Sequence, residues 1–551
     1  MTSNPTRNID PQYTWIAVFL PALLYFIYGC ATGIHRVGGD VPYSRVGTSI
    51  RIHSDANCLA DNDSGESNKR TAKCSVKMTA AYKVLSKTVF SLPSTANCDN
   101  RVELKYPVEI ILQSSSQEKS SMELSYNFHS MGWVHDLEIS RGYLLISDLS
   151  QNGKIWRWEV GGGPITIGRS LFMSNSGCRS SFIHDCNNET SHHNQSSGEE
   201  NTLGGSGLAI HPEIKAEHTN AGRLVIAERG EGRIVRMEED GARTPLVINV
   251  PSLCHSEQIN RVHSPGLMLY SLFGDLIFTD EIGQGCMNNN NTSETVTGIY
   301  ILKEASKIPA LPVSLSRSAH KWTSTYSVDN KVNTDTYESM LEILYTEKLN
   351  HVSGMTMGQD LSTLYISGSI INDNHGAKTL NYVILKIPLE ERDADVLDDT
   401  STDESTRLCK QKKDNSNTTA ENCQTPVLHP MGLLDGKATL VYDMTPYFKS
   451  SNGDSFDKNI GPSIAIDKHG NIYTSFPGGI AILNSEGDML GTIPLHSDDI
   501  VGDKNIDDLG KIIPNSLLLG HDGYLYITTS TLLLRLRIKA LPLDMRRDTT
   551  I

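Results

Sequence analysis

Six stretches of the 551-residue chain repeat one pattern of apolar and polar positions. Each opens on a small or polar residue and runs through a short strand in which apolar side chains alternate with small or polar ones. It then turns at Gly, Asp or Ser and returns in a second apolar strand. The stretches read WVHDLEISRGYLLISD from Trp133, GSGLAIHPE from Gly205 resuming as GRLVIAERGEGRIVRM at Gly222, and HSPGLMLYSLFGDLIFTD from His263. They continue as VSGMTMGQDLSTLYISGS from Val352, GPSIAIDKHGNIYTSFPGGIAIL from Gly461 and PNSLLLGHDGYLYITTSTLLLRLRI from Pro514. A period of two, punctuated by turn residues, predicts β-hairpins and not amphipathic helices.

No single hairpin of this kind can bury both of its faces. Six of them predict an all-β protein, a six-bladed β-propeller in which every blade packs on its neighbours. Equivalent positions are set at Asp136, Gly207, Gly266, Gly354, Ser463 and Ser516. They lie further apart than the roughly 40–50 residues a four-stranded blade needs, so the excess is loop insertion. The inserts at 184–203, 286–294 and 390–424 are too polar to bury a core. The pattern predicts a tail over 1–12, a hydrophobic segment over 13–34, a cysteine-containing extension over 35–124 and the propeller over 125–545. Within the extension, Thr79–Lys87 has the composition of a short helix, and Val102–Gln113 (VELKYPVEIILQ) could supply a strand that closes the ring.

The hydrophobic segment changes the compartment. Residues 15–28 (WIAVFLPALLYFIY) carry no charge, and none occurs between Asp10 and His35. That run is long enough to enter a bilayer, either as an uncleaved signal-anchor or as a signal peptide cut near Gly29-Cys30-Ala31. The propeller is therefore expected on the lumenal or extracellular side, as a single-pass membrane protein or a secreted one. Glycosylation sequons at Asn62, Asn188, Asn194, Asn290, Asn291 and Asn417 fall in polar stretches, as export predicts. The pairs Cys178/Cys186, Cys254/Cys286 and Cys409/Cys423 bracket loop-like inserts at short spacing, as local disulfides do. Cys58, Cys74 and Cys98 in the extension leave their pairing open.

Composition adds one exclusion. With a net charge of −15 and no basic stripe, the chain lacks the clustered Lys and Arg that nucleic-acid binding requires.

Several segments resemble the SMP-30/gluconolactonase/LRE-like six-bladed propellers. They are SDLSQNGKIWRW (147–158), GRLVIAERGEGRIVRMEEDGARTPL (222–246), GDLIFTDEIG (274–283) and GNIYTSFPGGIAILNSEGDMLGTI (470–493). The resemblance implies a lactone or related ester hydrolysed at the central channel, with Ca²⁺ polarising the carbonyl and activating water. Carried over by position, the family's metal-binding Glu falls on His135, and its Asn and Asp ligands fall on Pro265 or Gly266, Ser353 and Pro462. A substrate-contacting Asn falls on Ser206. None of the expected ligands is kept, and a calcium site of 6–8 oxygens cannot be built from this set without new contributors.

Other channel-mouth candidates are His263 and His351, each three residues before an anchoring glycine, together with Asp136 and Asn515. Imidazoles of His135, His263 and His351 converging on the channel would suit a divalent transition metal such as Zn²⁺. Asp148, Glu228 and Asp280 end second strands at matching places and read better as hydrogen-bond acceptors for backbone than as catalytic bases. No nucleophile elbow, P-loop, H-E-x-x-H or EF-hand pattern occurs. Two functions follow: a gluconolactonase-like hydrolase, or a non-catalytic propeller that binds a protein or glycan partner.

Overall fold

The computed structural model describes residues 45–48, 50–52, 80–92, 106–113, 128–136, 141–149, 153–159, 169–174, 176–177, 205–211, 222–238, 243–253, 259–271, 273–282, 296–308, 341–345, 349–374, 377–389, 438–448, 461–495, 512–530 and 532–543. The chain divides into two compact units, Met1–Ser44 and Arg45–Ile551, and all described residues belong to the second. The hydrophobic segment at 13–34 lies outside the described residues. So do the sequons at Asn62, Asn188, Asn194, Asn290, Asn291 and Asn417. The three expected disulfides, Cys178 with Cys186, Cys254 with Cys286 and Cys409 with Cys423, likewise fall entirely outside them. Among the described residues no helix is long and apolar enough to cross a membrane.

Six antiparallel sheets make six blades. Blade one is Phe128–Asp136, Arg141–Asp148, Lys154–Glu159 and Arg169–Ser174. Blade two is Gly205–Ile210, Leu224–Glu228, Arg233–Met237 and Arg243–Val247. Blade three is Pro265–Tyr270, Leu276–Ile282, Val296–Leu302 and Leu341–Tyr345, and blade four is Leu349–Met357, Thr363–Asn374, Ala377–Pro388 and Thr439–Asp443. Blade five starts at Ile464–Ile466 and continues through Ile472–Phe476, Gly479–Leu483 and Met489–Pro494. Blade six has Ser516–Leu519, Tyr524–Thr528 and Leu532–Arg537 from the C-terminal end of the chain.

The innermost strands contact one another in the cyclic order one to six and back to one, which closes a ring around a central axis. Each interface between blades holds its own apolar cluster. Val134, Leu145 and Ile155 of blade one meet Leu208, Leu224 and Ile226 of blade two. Tyr526 and Leu533 of blade six meet Phe128, Met131 and Trp156 of blade one. The second strands (LLIS, LVIA, LIFT, LYIS, IYTS, LYIT) are sandwiched between blades, so they read as nearly continuous apolar runs.

Ring closure uses the N-terminal extension. Tyr106–Gln113 pairs antiparallel with Leu532–Arg537 and becomes the fourth strand of blade six, the role expected of the Val102–Gln113 stretch. Arg535 fixes that pairing with two hydrogen bonds to Glu109. Arg45–Thr48 adds a fifth strand to blade six, and Arg51–Ile52 adds one to blade five. The expected short helix is present as α-helix over 80–84 continuing into a π-helical turn, Leu85–Val89. It buries Leu85, Val89 and Phe90 against blades five and six. The described parts of the extension are therefore built into the propeller.

One small device recurs at the ring. The first strand of each blade except blade six is paired with its second strand through a bulge or ends just short of that level. A hydroxyl on the second strand fills the gap in four blades, and in blade three it is Thr279, which accepts the Leu267 N–H at 2.9 Å. Ser147 accepts the Ser130 N–H and donates to the Ser206 carbonyl of the next blade. Ser475 accepts the Ser463 N–H and donates to the Pro514 carbonyl, and Ser367 donates to the Pro462 carbonyl. These bonds satisfy backbone groups that the ladder leaves open and tie adjacent blades together. Packing is tight enough that a Cβ on Gly207 would overlap the Gly266 carbonyl oxygen.

Candidate active site

Strand register fixes which residues stand level around the axis. Phe128 pairs with Asp148 and Met131 with Ile146, as Gly205 pairs with Glu228 and Leu208 with Ile226. His129 is thus the counterpart of Ser206. Extended to the other blades, the level consists of His129, Ser206, Gly266, Ser353, Pro462 and Asn515. The anchors Gly207, Gly354, Ser463 and Ser516 are mutually equivalent. The corresponding residues are Leu267 in blade three and Ser130 in blade one. Asp136 and His135 instead pair with Arg141 and Gly142 at the hairpin end of the strand, the end away from His129.

Three of the ring candidates are braces. Ser206 donates to the Pro265 carbonyl and is buried, and Ser353 donates to the Pro462 carbonyl at 2.7 Å. Asn515 Nδ2 donates to the Phe128 carbonyl at 3.1 Å, joining the last blade to the first. Gly266 and Pro462 have no donor side chain. This ring does not fit Ca²⁺, which takes 6–8 oxygen ligands. Among the described residues no group of three or more His, Cys, Asp or Glu is placed to hold a metal ion.

What the ring does present is a cluster drawn from four consecutive blades. His351, near the start of the inner strand of blade four, lies with Nδ1 2.5 Å from Oε1 of Glu281 on the second strand of blade three. Arg229, just past the second strand of blade two, donates Nη2 to Glu281 Oε2 at 3.3 Å and Nε to Ser264 Oγ at 2.6 Å. His129 of blade one is electrostatically coupled to Arg229, Glu281 and His351. Blades one and four face each other across a six-membered ring, so the cluster sits over the axis. Second strands run antiparallel to inner strands, so their ends meet the inner-strand starts on one face of the disc.

Electrostatics set the charge states. Burial alone would raise the Glu281 carboxyl. The hydrogen bond of His351, its charge when protonated and the charge of Arg229 outweigh that and bring it down to about 2. Burial, then Arg229 and His351, lower His129 from 6.5 to about 4 against the opposing pull of Glu281, so its imidazole is neutral at neutral pH. The His351, Glu281 and Arg229 side chains are 18%, 28% and 33% exposed, enough for water to reach them.

His263 is exposed, and its Nδ1 donates to the Glu281 carbonyl oxygen at 3.2 Å. Its backbone N–H and that of Ser264 donate to the Asp280 carboxylate, whose pKa burial raises. Asp280 thereby fixes the entry into the inner strand of blade three beside Glu281. Asp148 accepts the Trp156 indole N–H at 3.0 Å, and Glu228 pairs with Arg233 and Arg243. These three acids serve structure.

Of the sequence candidates, then, His351 enters the cluster directly and His263 flanks it. His129, Arg229 and Glu281 are additions. His129 carried a signal, since it stands six residues before His135 in the same strand. Glu281 adjoins Asp280.

No protein-family model matches the chain, and no curated protein does. Among solved structures, a gluconolactonase from Xanthomonas campestris is 13% identical, with 91% of this chain and 99% of that chain covered and a TM-score of 0.40. A regucalcin from Agrobacterium tumefaciens, described as a calcium-binding protein, is 10% identical, with 79% and 98% covered and a TM-score of 0.37. A Trichoderma reesei carbohydrate-active enzyme of family AA12 is 12% identical, with 80% and 100% covered and a TM-score of 0.38.

Proposed function

We propose that the protein is a hydrolase of lactones or related esters acting at this axial mouth, with His351 as general base. The observation that carries the reading is the His351–Glu281 hydrogen bond beside Arg229, on the face where the inner strands begin. An ionised carboxylate accepting Nδ1–H fixes the imidazole tautomer and orientation, leaving Nε2 with a lone pair for a water proton. Hydroxide then adds to the substrate carbonyl carbon. The developing oxyanion is held by guanidinium N–H groups of Arg229 not spent on Glu281 and Ser264. The carbon–oxygen ester bond breaks, the departing alkoxide takes the proton from His351, and the product is the hydroxy acid. Neutral His129 adds a polar contact without a competing positive charge.

The donor set at the ring does not suit calcium. Export, supported by the uncharged 15–28 segment, would put this chemistry on the lumenal or extracellular side, in a membrane-anchored or secreted protein.

The test is hydrolysis of a panel of aliphatic, aldonic and aromatic lactones, followed by acid release with and without chelator. Turnover that survives chelation and falls about 10²-fold or more in His351→Asn supports the reading. Turnover abolished by chelation and restored by Ca²⁺ overturns the His351 mechanism. No turnover on any substrate overturns the hydrolase and leaves a propeller that binds a protein or glycan partner.

A further inference from the structure

At the axial mouth, hydrogen-bond donors outnumber acceptors. Arg229 donates Nε to Ser264 Oγ at 2.6 Å and Nη2 to Glu281 Oε2 at 3.3 Å. Its Nη1 has no hydrogen-bond partner among the described residues. The nearby carboxylates are committed elsewhere. Glu281 also accepts from His351 Nδ1, Asp280 accepts the His263 and Ser264 backbone N–H groups, and Glu228 pairs with Arg233 and Arg243. A guanidinium has only donors, so what remains of Arg229 calls for an acceptor from outside the protein.

The imidazoles extend this donor set. Among the described residues, His351 Nε2 and both ring nitrogens of His129 have no hydrogen-bond partner. Burial first, then the charge of Arg229 and that of His351 when protonated, disfavour a proton on His129, and Glu281 does not cancel them. The same groups that oppose a positive charge here favour a negative one. The Arg229 and His351 side chains are only partly exposed, open to a solute yet less screened by salt than a free surface pair.

We propose that the mouth is a carboxylate site, with Arg229 Nη1 as principal donor and His351 and His129 beside it. That the carboxylate is the reaction's own product, held as an inhibitor, rests on the hydrolase reading; the binding itself does not. Hydrolysis of the ester leaves a carboxylic acid at Arg229, and its proton passes to His351 Nε2. The carboxylate then lies between a guanidinium and an imidazolium, both charge-assisted donors.

The probes are 4-hydroxybutyrate, its neutral amide and inorganic phosphate, titrated calorimetrically at constant ionic strength into the intact protein. The same titrations are made on Arg229→Lys and Arg229→Gln variants whose thermal transitions match it. 4-Hydroxybutyrate is expected to bind at least tenfold more tightly than the amide, as loss of a charged acceptor requires. Arg229→Lys keeps the charge but not Nη1 and weakens the carboxylate about threefold, whereas Arg229→Gln weakens it at least tenfold. No binding of 4-hydroxybutyrate, equal affinity for the amide, or affinity unchanged in Arg229→Gln overturns the site. Tighter binding of phosphate than of the carboxylate overturns the choice of anion. A protein that binds the carboxylate yet hydrolyses no lactone keeps this site and loses the hydrolase reading. One that hydrolyses lactones without inhibition by 4-hydroxybutyrate keeps that reading and loses the site.

Discussion

His351 and Glu281 lie on neighbouring blades, 70 residues apart in sequence, and their side chains are joined by a 2.5 Å hydrogen bond. The carboxylate holds one ring nitrogen, so the other can face the axis. Replacing Glu281 with Gln keeps a hydrogen-bond acceptor but removes the charge and permits the amide to flip. Lactone turnover in Glu281→Gln is expected to fall about 10- to 100-fold, less than in His351→Asn, mostly in kcat. A larger effect on KM than on kcat would make Glu281 a substrate contact instead of a positioning residue.

The same cluster sets an acid limit on stability. His129 titrates near 4 when folded and near 6.5 in the reference state, so the unfolded chain binds the extra proton between those values. Stability contributed by neutral His129 is complete above pH 6.5 and is lost as pH falls towards 4. Glu281 acts in the same direction lower down, between 4.5 and about 2. The Tm is therefore expected to fall on going from pH 7.5 to pH 5, and His129→Gln should flatten that slope. An unchanged slope in the variant would place the titrating group elsewhere.

Blade six needs the N-terminal extension. Removing residues 1–124 deletes the Tyr106–Gln113 strand and the Glu109 partner of Arg535, and exposes the edge of Leu532–Arg537. A chain beginning at residue 125 is expected to be largely insoluble or to lose its cooperative thermal transition, whereas one beginning at residue 45 keeps it. Circular dichroism melting and size-exclusion chromatography distinguish the outcomes. A cooperative, monomeric 125–551 fragment would show that the ring closes without that strand.

At Gly207 the inner strand of blade two packs closely against that of blade three. A methyl group there meets the Gly266 carbonyl, so Gly207→Ala should destabilise the protein by about 1–3 kcal/mol, the usual cost of overpacking. Denaturant melts measure it, and a neutral outcome would mean that the two inner strands can separate.

Sequence alone determined the blades. The second strands are buried on both sides, and that demand writes a repeated apolar run followed by a turn into each unit, legible without any structure. It also placed Ser206, Ser353 and Asn515 at one level of the repeat and Asp148, Glu228 and Asp280 at second-strand ends, because each follows its repeat at constant spacing; Asp280 accepts backbone N–H groups, whereas Asp148 takes the Trp156 indole and Glu228 takes Arg233 and Arg243.

Tertiary structure decided the rest. In blade one, the bulge between Phe128 and Met131 breaks the period of two, so FHSMG does not read as strand. The ring residue is His129, whereas His135 ends the hairpin. Arg229 and Glu281 acquire meaning only when blades two, three and four are set beside each other and blade one is brought opposite blade four. That proximity comes from closing a ring, a long-range constraint that strand periodicity cannot encode.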